Sequence, residues 1–420
     1  MFLGFDLITI HKFFEKNWHC IFFLIGPLAY FSVYALWLPI LLILILKIRS
    51  FTDFPRPEGL VRLRQCSLYF VLPIFGGLSA FWALVPTDAV STAVKFFIYV
   101  LMAFFCGMVI RNAKDYEKQK IFLNSAVGFL LAFPFVLLDV TLAGAISSPF
   151  KDWYAPDVYN RGTAITACLL IPITLGLHHC NFKKLSIVFS LLSLGIIFGL
   201  YMEASKLAVT AALITFCFVR WKSKLFWVFI TLPLLITLIF PLIFVSQFSK
   251  NVQCQIYDAK KSAMHRIMIY HFASNNILQK PFLGWGMDAA RSIPGGGQKV
   301  DTFKCLKARG LEFDLYLDGS NLPLHPHNAG IQIWLELGLI GAILLIISVF
   351  LFIKRMRYEL VNADDQAALA STFVCCCLLY NISFGIWQSW LMFAMILVGS
   401  ILLILPYRCD EKENHQKLKN

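Results

Sequence analysis

A chain of 420 residues that is 59% hydrophobic and 15% charged, with a mean hydropathy of +0.71, carries more apolar surface than a soluble domain can cover. Its net charge of +13 would suit a nucleic-acid partner, but the basic residues sit in short connections between apolar runs, where they report orientation in a bilayer. Composition therefore predicts an all-α polytopic membrane protein and gives no reason to invoke nucleic acid.

The first apolar run, 20–46, is uncharged and contains Pro27 and Pro39. It is long for one span and short for two, so it reads as a tight hairpin of two short helices. The segment ahead of it is weakly charged and lacks a small-residue cleavage site, so no removable signal peptide is expected. Ten further spans follow at 66–85, 96–110, 121–145, 162–180, 185–202, 206–219, 225–245, 330–353, 367–386 and 389–406, which makes about twelve with the hairpin. The organisation expected is about nine spans in 1–245, a large loop at 246–328, and three spans with a tail in 329–420. There is no internal repeat.

Alternate connections carry 21 Lys or Arg, among them Lys47, Arg111, Lys183, Arg220, Lys354 and Arg408, against four on the other side: Lys95, Lys151, Arg161 and Lys206. The rich side is read as cytoplasmic. The large loop and the ends of the spans that flank it then face outward, and both termini face inward.

Most of the 12 cysteines fall in apolar runs, where thiols pack as small hydrophobes. Cys254 and Cys305 share the large loop and would be free to pair in an oxidising compartment. No Cys or His spacing suits zinc. No GxxxxGK[ST], HExxH or GxSxG motif is present, no DxD pair appears in the outer loop, and "PGGGQK" at 294–299 lacks the strand-to-helix context of a nucleotide site, so it reads as a turn.

What remains is a set of cations near the outer face. Arg161 in "YNRGTAITACLL" and Lys206 in "YMEASKLAVTAAL" each begin a span; either is an interfacial anchor or a site residue. Arg266 belongs to a predicted surface helix at 256–279, which also holds Tyr270, in a loop with ten Lys or Arg against six Asp or Glu, a balance that suits an anionic substrate. The stretch "HPHNAGIQIWLELGLIGAILL", 325–345, then puts His325, His327 and Asn328 directly ahead of a span. Asn328 is a good N-cap. If the helix included His327, then Ile331, Trp334, Gly338 and Gly341 would share its face, a stripe open to a lipid tail or another helix, while Glu336 would point away as a buried partner for another helix.

His327, Asn328, nine residues, Gly338, two residues, Gly341 resembles the pattern H-[NSQ]-x9-G-x-x-[GTY] of bacterial O-antigen ligases, within the O-antigen ligase and polymerase superfamily. Arg266 followed by "PFLGWG" resembles the same superfamily's arginine and P-x-x-G-x-G signature. The resemblance implies transfer of a glycan from undecaprenyl diphosphate to the lipid A-core oligosaccharide at the periplasmic face of the inner membrane, with neither metal nor ATP. It implies His327, Arg266 and Lys206 as the catalytic set, where the family has arginine in place of Lys206. Arg161, Asn328, His325, Tyr270, Gly338 and Gly341 are expected to bind substrate. A polymerase or a protein O-oligosaccharyltransferase of the same superfamily remains open, and the histidine-to-glycine spacing favours the ligase. Against a transporter stand the lack of repeated halves and of charged pairs at mid-membrane.

Overall fold

The computed structural model describes residues 15–47, 67–145, 147, 156–245, 255–256, 261–298 and 320–408. The described residues form helices joined by turns: α1 (Trp18–Phe31), α2 (Val33–Lys47), α3 (Leu68–Phe81), α4 (Pro86–Arg111), α5 (Asp115–Thr141), α6 (Asn160–His179), α7 (Lys183–Gly199), α8 (Glu203–Trp221), α9 (Leu225–Ile243), α10 (Lys261–Gln279), α11 (Ala329–Glu359), α12 (Ala363–Ile382) and α13 (Ser389–Leu403). Seven of these are long and apolar enough to cross a membrane, and α1, α2, α3 and α13 are shorter apolar helices. The chain is an all-α polytopic membrane protein. The 20–46 run is a broken pair, interrupted at Ser32, whose φ of −153° leaves the helical region.

Two cores hold the bundle. The larger runs through the middle of the helices, with Phe122, Phe129, Phe189, Phe226 and Trp390 fully buried. The smaller lies at one end, where Leu72 of α3, Ile269 and Ile277 of α10, and Ile331, Ile333 and Leu335 of α11 close over Met287 and Ile293. Outer faces of α5, α7 and α9 present Leu131, Phe135, Leu191, Leu235 and Ile239 to the surroundings, a distribution that needs lipid rather than water.

Ion pairs gather the basic connections at one end. Lys47 meets Glu117, Arg111 meets Glu359, Arg220 meets Asp364 and Arg408 meets Asp365. The opposite end, called the site end below, carries α10 and the start of α11.

Two expectations change. Lys95 is not in a connection but within α4, which begins at Pro86; Val85 is extended and proline at the first turn starts the helix nine residues ahead of the lysine. The helix that carries Arg266 is not a surface helix: Ile269, Ala273 and Ile277 are buried against α11 and α9, because its apolar residues recur every four positions. The "PGGGQK" stretch is a turn as far as Gln298, fixed by Gly296 N donating to Ile293 O at 2.9 Å and Leu322 N to Gly296 O at 2.9 Å. Cys254, Cys305 and Lys151 lie outside the described residues.

Candidate active site

The span after His327 is not one helix. Gly338 stands at φ 64°, ψ −164° inside α11, a conformation open essentially to glycine alone. In an unbroken helix the amides of Leu339 and Ile340 would bond the carbonyls of Leu335 and Glu336. Both bonds are lost, and at membrane depth such groups must find other partners.

The PFLGWG loop supplies them. Leu339 N donates to Pro281 O at 2.8 Å and Ile340 N to Phe282 O at 3.3 Å, while Trp285 N donates to Leu335 O at 2.9 Å and Gly286 N to Glu336 O at 2.8 Å. The loop is thereby spliced into the helix. Neither strand of this seam has room for a side chain: a Cβ on Gly338 would fall 2.3 Å from the Phe282 carbonyl carbon, and one on Gly284, itself at φ 66°, 2.4 Å from that of Glu336. The two glycine-containing motifs are one structural unit.

Glu336 fastens the unit from inside. Its fully buried carboxylate accepts from Gln332 Nε2 at 2.9 Å, from the backbone N of Asp288 at 2.8 Å and from Trp387 Nε1. Gln332 Oε1 in turn accepts from Ile386 N at 2.9 Å. The short first part of α11 thus holds both the 285–288 turn and the 383–388 connection in place, and Glu336 is the buried partner expected, with no contact to His327.

Asn328 caps α11 as its residue type predicts, its Oδ1 accepting from Ile331 N at 2.8 Å and its Nδ2 donating to Asn381 O at 2.9 Å. His327 precedes the cap and does not belong to the helix. Its φ of 53° is the left-handed region, which costs about 1–3 kcal/mol for a residue with a side chain. The strain turns its ring off the helix face that a continuous helix would have given it.

His327 Nδ1 lies 3.0 Å from Ser383 O. A carbonyl only accepts, so Nδ1 carries the proton and Nε2 keeps its lone pair. His327 N donates to His325 Nδ1 at 3.1 Å, and the two rings meet edge to face with centroids 4.4 Å apart. Burial lowers the pKa of both; His325, further opposed by the charges of His327 and Arg291, falls to about 4, and His327 falls against the opposing pull of its bond to Ser383. The pair is neutral near pH 7.

Arg266, half-buried on α10, has no ion-pair partner among the described residues, and its charge bears on His327 together with that of His265. Tyr270, one turn on, is buried against Phe240 and Phe244 with ring centroids 5.7 and 5.2 Å away. Burial raises its phenol pKa despite Arg266 and the Asn328 amide.

The remaining expected residues spread out. Arg161 lies over the rings of Tyr34, at 4.9 Å, and Trp390, at 5.9 Å. Trp390 Nε1 donates to Gln388 Oε1 at 3.2 Å, and the Gln388 amide stands 3.0 Å from His325 Nε2, so Arg161 reaches the histidines only through that relay. Lys206 pairs with Glu203 at 3.0 Å on its own helix and touches neither histidine. Gly338 and Gly341 form no open stripe, the first lying under the loop and the second against Leu337 across the break. Sequence reasoning missed Glu336 as a clamp, with Gln332, Trp387 and Asp288. Asp288, at φ 59°, is the second residue after the PFLGWG loop, and no spacing rule marks it.

A multi-pass membrane protein with a paired histidine beside the Arg266 guanidinium is the class that this architecture defines. Residues 188–346 match the family model described as O-Antigen ligase, a stretch that includes Lys206, Arg266, His327 and the whole seam. Over its length the chain is similar to Rickettsia proteins named "Putative polysaccharide ligase": 28% identical to that of Rickettsia felis, covering 83% of this chain and 85% of the relative, and 27% identical to that of Rickettsia prowazekii, covering 78% and 76%. Over these residues the chain is similar to the O-antigen ligase family and to polysaccharide ligases of that kind.

Proposed function

We propose that the protein is a lipid-linked glycan ligase that transfers a polysaccharide from undecaprenyl diphosphate to the lipid A-core oligosaccharide, in lipopolysaccharide biosynthesis at the periplasmic face of the bacterial inner membrane. The observation that carries the reading is His327: a neutral imidazole whose Nε2 keeps its lone pair, held by a strained backbone within the field of Arg266, which has no ion-pair partner among the described residues.

In this reading the acceptor hydroxyl gives its proton to His327 Nε2 as its oxygen forms the bond to the donor's anomeric carbon. The bond from that carbon to the diphosphate breaks, and the carrier diphosphate leaves with the electron pair. Arg266 offsets the developing negative charge, with Lys206 as the second cation expected by resemblance. The leaving group is already activated, so the scheme calls for neither metal nor nucleotide. A cavity of about 340 Å³, with walls from Ala329 to Ile353 of α11 and from Leu369 to Asn381 of α12, offers a polyprenyl chain an apolar bed that opens beside the site.

The test uses purified protein with carrier-linked glycan and rough lipopolysaccharide. His327→Ala should lower transfer by a factor of about 100 to 10,000 at unchanged abundance; near-normal transfer would remove the base assignment. A strain lacking the protein should lose all capped lipopolysaccharide and keep carrier-linked polymer. A single-unit cap would instead indicate a polymerase.

A further inference from the structure

His325 lines a second cavity, of about 290 Å³, whose wall includes neither His327 nor Arg266. Its volume is close to the lower bound of small-molecule sites, about 300 Å³, and suits one or two sugar rings. Lys95, Asp288, Arg291, His325, Trp387 and Gln388 contribute to its wall. Indole, amide and carboxylate together offer a stacking face and both hydrogen-bond senses, the groups a hydroxylated ring requires.

The cations decide the ligand's charge. Asp288 is engaged: its Oδ2 accepts from Thr92 Oγ1 at 2.9 Å and its Oδ1 from Arg291 at 3.3 Å. Lys95 is not engaged, having no hydrogen bond or ion pair among the described residues. It stands about 13 Å along α4 from Pro86, at 1.5 Å per residue, one turn before Tyr99, whose hydroxyl donates to Ser389 Oγ at 2.8 Å. Lys95 is exposed at the rim of this polar cavity, and an ammonium free to turn into a cavity lined by hydrogen-bonding groups favours an anionic ligand. The Asp288–Arg291 pair nearly cancels, so Lys95 sets the sign.

We infer that this cavity is the subsite for the accepting sugar and that Lys95 recognises a negatively charged substituent, a phosphate or carboxylate, on that sugar. The inference rests on the ligase reading above and assigns its two substrates to opposite sides of the histidine pair: the carrier diphosphate by Arg266 and His327, the acceptor by His325, Gln388 and Lys95. The acceptor hydroxyl then approaches His327 Nε2 from the His325 side.

The experiment uses the detergent-solubilised full-length chain and two probes, a core-type oligosaccharide carrying one phosphate monoester and the same oligosaccharide without it, followed by tryptophan fluorescence, since Trp387 lines the cavity. Wild type should bind the phosphorylated probe on the order of ten-fold more tightly than the neutral one, the effect of one charge-assisted hydrogen bond. Lys95→Gln should erase that difference and Lys95→Arg restore it. In transfer assays Lys95→Gln should raise the acceptor KM by a similar factor and leave the donor KM unchanged.

Equal binding of the two probes by wild type, or a Lys95→Gln effect on the donor KM alone, overturns the assignment. Lys95-dependent binding by a wild type that transfers nothing to rough lipopolysaccharide would refute the ligation reading while upholding the anionic-sugar subsite. Normal transfer without Lys95-dependent binding would do the reverse. A carboxylated probe bound as well as the phosphorylated one upholds the subsite and identifies its requirement as charge alone.

Discussion

At His327 the ring and the backbone work together. A left-handed φ of 53° turns the imidazole toward Ser383, whose carbonyl fixes the proton on Nδ1, and burial keeps the ring neutral. Both histidines have folded pKa values lowered from 6.5, that of His325 to about 4. The unfolded chain therefore binds more protons below pH 6.5, so their contribution to stability is fully present above that pH and is lost as the pH falls toward 4. The same shift sets activity: the acid limb of kcat/KM should lie below pH 6.5, and a limb well above it would mean that another group titrates. Lys206 poses a sharper question, because its pairing with Glu203 at 3.0 Å is the ion pair of an ordinary helix surface, worth about 0.2–1 kcal/mol. Under the proposed role Lys206→Ala should abolish transfer and Lys206→Arg keep much of it. Full transfer by the alanine variant at normal abundance would reduce Lys206 to an anchor.

Among the elements, the seam between the PFLGWG loop and α11 is what positions the site. Two helix hydrogen bonds are given up at Gly338 and four loop bonds replace them, which fixes where the first part of α11, with Gln332 and Glu336, meets the 383–388 connection. Any side chain at residue 338 faces both a backbone that L-residues avoid and a Cβ position 2.3 Å from Phe282. Gly338→Ala should therefore cost more than the roughly 1–3 kcal/mol of backbone strain alone, read as a lower thermal midpoint of purified protein, with transfer lost in proportion to the undocked loop. A variant that kept both stability and activity would show that the seam is dispensable. Gly341, which packs against Leu337 and is not under the loop, should tolerate alanine only if Leu337 shifts.

For the whole molecule, charge asymmetry and tertiary contacts agree: the ion pairs Lys47–Glu117, Arg111–Glu359 and Arg408–Asp365 bring the basic connections to one end, and the histidines stand at the other. The positive-inside rule predicts that the site end faces away from the cytoplasm, the side the proposed function requires. Leu324→Cys, at an exposed position of the site end, should react with an impermeant maleimide in cells with a permeabilised outer membrane, whereas Tyr358→Cys, exposed at the basic end, should react only after lysis; the reverse pattern would invert the topology. The sequence by itself determined the all-α membrane class, seven of the expected spans, the break in 20–46, the Asn328 cap and the motif histidine, because each follows from local composition, apolar length or a short spacing. Only the tertiary structure decided that the helix breaks at Gly338, that Glu336 clamps two connections, and that Lys95 and His325 line a cavity whose wall does not include His327. Those features depend on groups far apart in the chain, such as Glu336 with Asp288 at a separation of 48 and with Trp387 at 51, and His327 with Ser383 at 56. A helical period read along one segment cannot reveal that a loop from elsewhere supplies the hydrogen bonds that let the helix break.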